Sequence, residues 1–447
     1  MSRSTALTRR LSGALVFLLL PAVASAHTSL RRSEPARGSR LALPPTQIAL
    51  WFTARPQLGF SRIRLVGPSG EIALDRVVAD TGNALISRIP RALPPGQYTV
   101  QWQTASADGH EIRGEIAFAV LDEGQTAGTA PIGPGRHVPE SQVHTENRGT
   151  RWLEFMALLS VLGALGFRHG VLPPLAARAV STANAAERAR RIGLVALGVY
   201  AVASILRLYT ESVAVHGTER ALDPAELLPM ITTTTWGIGW LIGIAGALLV
   251  FVGWIASRRT LALGTPLALV GGLGMAFSPS LSGHAAASRH VLLSVGLDAL
   301  HVAAAGVWLG GLLMMAVAGI PAMRRLPNGN ADASVAALVN SFHPMALFCA
   351  PIVVVAGLGS SWLRLGSISA LTGTEYGRNL LWKLMFVALV AAMGSYNWLR
   401  VRRRLGTPAA TRHIRVSASM ELVFAALVLA VTAALVASPA PTEMLMP

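Results

Sequence analysis

The chain is 447 residues long, 52% hydrophobic and only 13% charged, with a mean hydropathy of +0.50. That is too apolar for a water-soluble protein of this size and requires several membrane spans. The net charge is +16, but the arginines stand in short clusters between apolar runs, which argues against a nucleic-acid surface and fits the positive-inside rule.

The first expected element is a secretory leader over residues 1–26. Arg3, Arg9 and Arg10 precede an apolar run from Leu11 to Leu20, and small residues stand at Ala24 and Ala26. Cleavage after Ala26 makes His27 the first mature residue, so its α-amine and imidazole Nδ1 can chelate one metal. Nitrogen donors of that kind suit Cu(II) in a tetragonal site. The alternative is a cleavage point that merely happens to precede a histidine.

Residues 27–120 have strand character. Ile63 and Leu65 alternate with arginines, Tyr98, Val100 and Trp102 with polar residues, and Ile116, Phe118 and Val120 with Glu115 and alanines. Pro44-Pro45, Gly67-Pro68-Ser69-Gly70, Gly82-Asn83 and Pro94-Pro95-Gly96 supply turns between them. A small β-sandwich is expected. Its only histidines are His27 and His110, the second in Ser106-Ala107-Asp108-Gly109-His110. Asp108 and His110, one residue apart, can project to the same side of an extended or turn backbone. With His27 they make an amine, two imidazoles and a carboxylate, a donor set matched to Cu(II). The other reading is a polar turn capped by Asp108, with His110 solvated. The segment holds no methionine, which excludes a thioether site for Cu(I) there. Cys349, the sole cysteine, lies in an apolar run, so the sandwich has neither a disulfide nor a thiolate site. Residues 121–149 read as a flexible tether.

Eight spans are expected after it, at 151–172, 190–212, 236–256, 261–279, 291–318, 344–365, 379–400 and 416–438, each long enough to cross about 30 Å of hydrocarbon. Alternate connections carry Arg168, Arg178, Arg188, Arg190, Arg191, Arg258, Arg259, Arg324, Arg325, Arg400, Arg402, Arg403, Arg404, Arg412 and Arg415; the opposite ones carry Arg220, Arg289, Arg364 and Arg378. Fifteen against four makes the first set cytoplasmic and turns both mature termini outward, with a short outward tail at 439–447.

In the loop before the fifth span stands Ser282-Gly283-His284-Ala285. Within that span Asp298 and His301 share a helix face, about 10 Å deep at 1.5 Å per residue. An ionisable pair at that depth faces a cavity or a partner, either of which would fit. Gly306 and Gly310 are spaced for close helix contact. Lys383, the only lysine, is expected to snorkel to the interface, with pairing to Asp298 or Glu375 as the alternative. His216 and His290 are expected to be solvated. Met275, Met314, Met315, Met385 and Met393 read as core filler or as thioether donors for Cu(I).

Two families are resembled by these residues. His27-Thr28-Ser29-Leu30 with Ser33, Glu34 and Pro35, then Ser106 to His110 and Gly114-x-x-x-Phe118-x-Val120, is similar to periplasmic copper-binding CopC. The resemblance implies a Greek-key sandwich of Ig-like or cupredoxin-like type, binding Cu(II) through the terminal amine, His27, Asp108 and His110. Lack of the methionine-rich loop implies a member confined to Cu(II). Ser282 to Ala285, then Asp298-x-x-His301-x-Ala303-Ala304-x-x-Trp308-x-Gly310-Gly311-Leu312, Tyr376-Gly377-x-x-Leu380-x-x-Lys383, Gly394-x-x-Asn397 and Glu421 resemble the membrane protein CopD. Trp398 departs from that pattern, where Arg is usual.

The whole chain thus resembles a CopC–CopD fusion. It is expected to sit in a bacterial inner membrane with its sandwich in the periplasm, working in copper import, homeostasis and resistance without catalysis. His284, Asp298 and His301 are the expected receiving ligands in the membrane domain, and periplasmic copper donors are expected partners. No phosphate-binding Gly-x-x-x-x-Gly-Lys-Ser/Thr loop occurs, so no nucleotide is expected. The rival readings are a haem- or copper-dependent membrane redox protein, a copper oxidase built on the N-terminal histidine, and a resistance buffer that transports nothing.

Overall fold

The computed structural model describes residues 30–436 apart from 54, 81–82, 106–110, 123–127, 130–147, 179, 260–261, 288–289, 327–330 and 366, with backbone alone at 111, 128–129, 284 and 287. The strands in chain order are β1 (Leu30–Glu34), β2 (Ser39–Leu41), β3 (Gln47–Phe52), β4 (Arg62–Gly67), β5 (Gly70–Ile72), β6 (Val78–Ala79), β7 (Ala84–Arg88), β8 (Gly96–Ala105), β9 (Glu111–Val120) and β10 (Gly128–Thr129). One sheet runs β1-β3-β7-β6 and the other β10-β2-β9-β8-β4-β5. All pairings are antiparallel except β2 with β9.

The period of two places the apolar set inward. Ile63, Leu65, Tyr98, Val100, Trp102, Ile116, Phe118 and Val120 are buried and meet Ile48, Leu50, Phe52 and Leu85 of the facing sheet. Phe52 meets Trp102 edge-on at 5.3 Å, and Tyr98 stacks on Phe118 at 5.4 Å, which ties the two sheets and the central hairpin together.

Helices follow: α1 (Arg148–Ala176), α2 (Ala183–His216), α3 (Pro224–Thr233), α4 (Thr235–Arg258), α5 (Gly264–Leu281), α6 (Val291–Met323), α7 (Ala331–Leu365), α8 (Glu375–Arg404) and α9 (Pro408–Val436). Their starts carry caps legible in the sequence. Asp223 accepts from the Ala225 N–H, Thr234 from Gly237 and Thr374 from Gly377, opening α3, α4 and α8.

Seven of these helices are long and apolar enough to cross a membrane, and the chain is a multi-pass membrane protein. The expected fourth span corresponds to α5, which is not among the seven. Its 18 residues include Pro266, Pro279, Ser278 and Ser280, so its apolar content is diluted. It nevertheless lies antiparallel along α4. Gly239 adjoins Ser282, Gly243 adjoins Ser278, Gly246 adjoins Gly271, and Gly253 adjoins Gly264.

At the crossing of α1 and α6 the backbones touch, as the Gly306–Gly310 spacing requires. A Cβ on Gly310 would overlap the Leu159 carbonyl, and one on Gly163 would overlap Gly310. Turns of π-helix interrupt α6 at Gly306–Gly310 and Met315–Gly319, on either side of Gly311–Met314. We expect Gly310→Val to cost about 1–3 kcal/mol through overpacking, lowering the thermal midpoint followed by tryptophan fluorescence in detergent by several degrees. A wild-type midpoint would mean that this crossing is loose.

Candidate metal site and interdomain contact

His27, Asp108 and His110 lie outside the described residues. What the structure gives is the frame around two of them. Strand β8 ends at Ala105, β9 begins opposite it at Glu111, and Gln103 pairs with Arg113 one step back. His284 opens a single turn, His284–Ala287, of which its backbone alone is described. Ser282, just before it, is buried; its hydroxyl donates to the Trp236 carbonyl at 3.2 Å, and its own carbonyl accepts from Arg207 at 3.4 Å.

Asp298 and His301 both turn toward α7, and each has a partner there. Arg364 Nη2 donates to Asp298 Oδ1 at 2.9 Å, with both side chains largely buried. His301 Nδ1 stands 2.8 Å from the Val353 carbonyl, against Gly357, whose missing side chain leaves room for the ring. A carbonyl can only accept, so Nδ1 carries the hydrogen and the neutral ring keeps its lone pair on Nε2. That tautomer leaves Nε2 as the ring nitrogen able to bind a metal. Lys383, half-buried on α8, lies within electrostatic reach of Asp298 and His301, while Glu375 faces Arg148 at 3.9 Å. Among the described residues no group of three or more His, Cys, Asp or Glu side chains is close enough to hold a metal ion.

Arg364, which the sequence presents as a flanking charge, is therefore the counter-ion of Asp298. A second buried ionic group lies outside every motif named above. Arg207 of α2 donates to Glu154 of α1 at 3.1 Å, and Ser204 donates to the other oxygen of the same carboxylate at 2.8 Å. Arg151 reaches Glu211 at 3.1 Å and the Val436 carbonyl at 3.2 Å. Its sequence signal is that Glu154, Arg207 and Glu211 are charges inside apolar runs, the same mark that Asp298 bears. The Arg207 guanidinium also sits over the Trp236 ring at 5.3 Å, so this group adjoins the Ser282 loop.

The sandwich rests directly on this end of the helices. Phe60, Ala105, Val215, Met230 and Trp236 form one buried cluster, in which Phe60 meets Trp236 edge-on at 6.2 Å. Gln103 Nε2 donates to the Val215 carbonyl at 3.1 Å, Arg113 to Ala214 at 3.1 Å and Arg62 to His216 at 3.5 Å. Contrary to the sequence expectation, His216 is buried, because the sandwich covers it. Its Nδ1 faces Ser212 at 3.2 Å and its Nε2 faces the Gly59 carbonyl at 3.2 Å. Trp398, the departure from the CopD pattern, is stacked between His343 at 3.7 Å and Arg402 at 4.0 Å. Nearby, Asn397 donates to Ser417 and to buried Glu421, both at 2.6 Å.

Removing one member of a buried ion pair strands the other. We expect Glu154→Gln or Arg207→Met alone to destabilise the membrane domain by about 3–5 kcal/mol. The double variant should lose less than either single one in the same unfolding assay. Additive losses would show that the two groups do not depend on one another.

Comparison with known proteins gives three domain matches in sequence. The CopC domain matches residues 30–121, the Copper resistance protein D-like N-terminal domain 147–292, and Copper resistance protein D 336–435. The Copper transport protein CutJ of Bacillus subtilis is 24% identical over 409 residues, covering 88% of this chain and 72% of that protein. Copper resistance protein C of Pseudomonas syringae pv. tomato is 33% identical over 111 residues, 23% of this chain and 87% of that one. The crystal structure of CopC from Methylosinus trichosporium OB3b covers 22% of this chain and 99% of its own, at 22% identity and a TM-score of 0.21. The chain is a CopC–CopD fusion, a CopC domain followed in one polypeptide by the two parts of a copper-resistance membrane domain.

Proposed function

We propose that this protein captures Cu(II) on its sandwich and passes it to the membrane domain for import and homeostasis, catalysing no reaction. In this reading a signal peptide is removed after Ala26 and the metal is held by the α-amine and imidazole of His27 with Asp108 and His110. The receiving groups are His284, at the near end of the helices, and then His301 through Nε2.

One observation carries the reading. The two strands that flank residues 106–110 both reach the membrane domain, β8 through Gln103 to Val215 and β9 through Arg113 to Ala214. Ala105, where β8 ends, is buried in the same cluster as Trp236, whose carbonyl binds Ser282 two residues before His284. The segment expected to carry the metal therefore departs from the contact between the domains.

The orientation and the count of crossings belong to the same proposal. An α5 that runs antiparallel to α4 along its length supports eight crossings. Eight crossings return the chain to the side on which it started, and the arginine asymmetry then makes that side the periplasm of a bacterial inner membrane. One observation favours the rival buffer reading: the Asp298 carboxylate is already bound by Arg364.

Copper uptake into proteoliposomes by the intact mature chain tests the proposal. His27→Ala should abolish the type 2 Cu(II) spectrum and reduce uptake at least ten-fold. His301→Ala should keep that spectrum and still lose uptake. Full-rate transport by His301→Ala would remove it from the path. Cellular copper separates import from buffering, since deleting an importer lowers it and deleting a buffer raises it.

A further inference from the structure

We infer that the sandwich is a fixed cap on the membrane domain rather than a tethered carrier, and that Gly59, Gln103 and Arg113 are positioning residues for copper handover. The inference deepens the import reading and rests on it only for its copper step.

Three observations support it. The first is an account of the backbone at the end of α2. A helix leaves its last four carbonyls without intrahelical donors. Here Val213 receives the Gly217 N–H at 2.9 Å, and Ala214, Val215 and His216 receive Arg113, Gln103 and Arg62 of the sandwich. The other domain thus completes the C-terminus of a transmembrane helix, and two of its three donors are arginines, the charge that suits the negative end of the helix dipole.

The second observation is steric. Gly59, in the turn Leu58–Phe60 ahead of β4, lies so close to α3 that an added Cβ would be 2.8 Å from Met230 Cα, 2.9 Å from Met230 N and 3.1 Å from Pro229 C. All three atoms belong to the membrane domain, so a side chain here obstructs docking without touching the core of the sandwich. The third is burial. Phe60 and Met230 are almost fully enclosed in the shared cluster, and separation would expose both together with Trp236.

These contacts fix Ala105 and Arg113, on the two strands that lead to residues 106–110, against the membrane domain. Handover then takes place within a docked complex, and the connection through residues 121–149 has no part in bringing donor and acceptor together.

The test uses the full chain with a protease site inserted between residues 130 and 147. After cleavage in detergent, the sandwich of the wild type should co-elute with the membrane domain in gel filtration at micromolar concentration. Gly59→Val should release it while preserving its Cu(II) spectrum, and Gln103→Ala/Arg113→Ala should release it too. Uncleaved Gly59→Val should take up copper at least ten-fold more slowly than wild type. Release of the wild-type sandwich on cleavage, or retention of the Gly59→Val sandwich, overturns the cap. Full uptake by Gly59→Val overturns the positioning role. A wild type that moves no copper refutes the import reading, while the elution result still decides the cap.

Discussion

Backbone polar groups that leave water must find partners within the protein, and at the sandwich end of α2 the partners come from another domain. An unmet buried carbonyl costs on the order of 1–3 kcal/mol, so three of them make the seam between the domains a place where separation is resisted by hydrogen bonding as well as by apolar burial. Arg62, Gln103 and Arg113 stand on three adjacent strands, β4, β8 and β9, so the sheet itself sets the spacing of the donors. That spacing meets three consecutive carbonyls of a helix end. The match is geometric and depends on the sheet register, which the buried alternation of Tyr98, Val100 and Trp102 enforces.

Beneath this seam the described residues of the helices include two buried ionic groups, and in each an arginine is matched to a carboxylate on a neighbouring helix. Glu154 with Arg207 joins α1 to α2, and Asp298 with Arg364 joins α6 to α7. Such pairs return little net stability, because desolvation offsets most of the attraction, but they penalise any packing that separates the partners. They therefore specify which helices are neighbours. Arg207 has a further consequence: by touching Glu154, the Trp236 ring and the Ser282 carbonyl together, it ties the helix pair to the loop that opens at His284. In the second group Asp298 is bound by Arg364 and lies within electrostatic reach of Lys383. His301 is held through Nδ1 by the Val353 carbonyl, which leaves Nε2 outside that bond.

Much of this was legible in the sequence. Alternation with period two named the buried faces of β4, β8 and β9, because a sheet with one wet face leaves that signature and little else can. Of the eight long apolar runs, seven are helices that can cross a membrane, and Gly306 with Gly310 announced the close contact with α1. The weak case was α5, whose prolines, serines and glycines lower its hydropathy. Gly264, Gly271 and Ser278 pack against α4, where a larger apolar side chain would not fit.

Composition, periodicity and short motifs by themselves determined the two-part organisation and the membrane character, since each follows from neighbours within one or two turns of chain. Only the tertiary structure decided who meets whom. Glu154 and Arg207 are 53 residues apart, Asp298 and Arg364 are 66 apart, and Gln103 and Val215 are 112 apart. His216 illustrates the difference. As a residue at a helix end it reads as wet, and it is buried because a strand-borne turn 157 residues away covers it. Local sequence encodes what a segment can bury, whereas the partner that buries it is chosen by the packing of the whole chain.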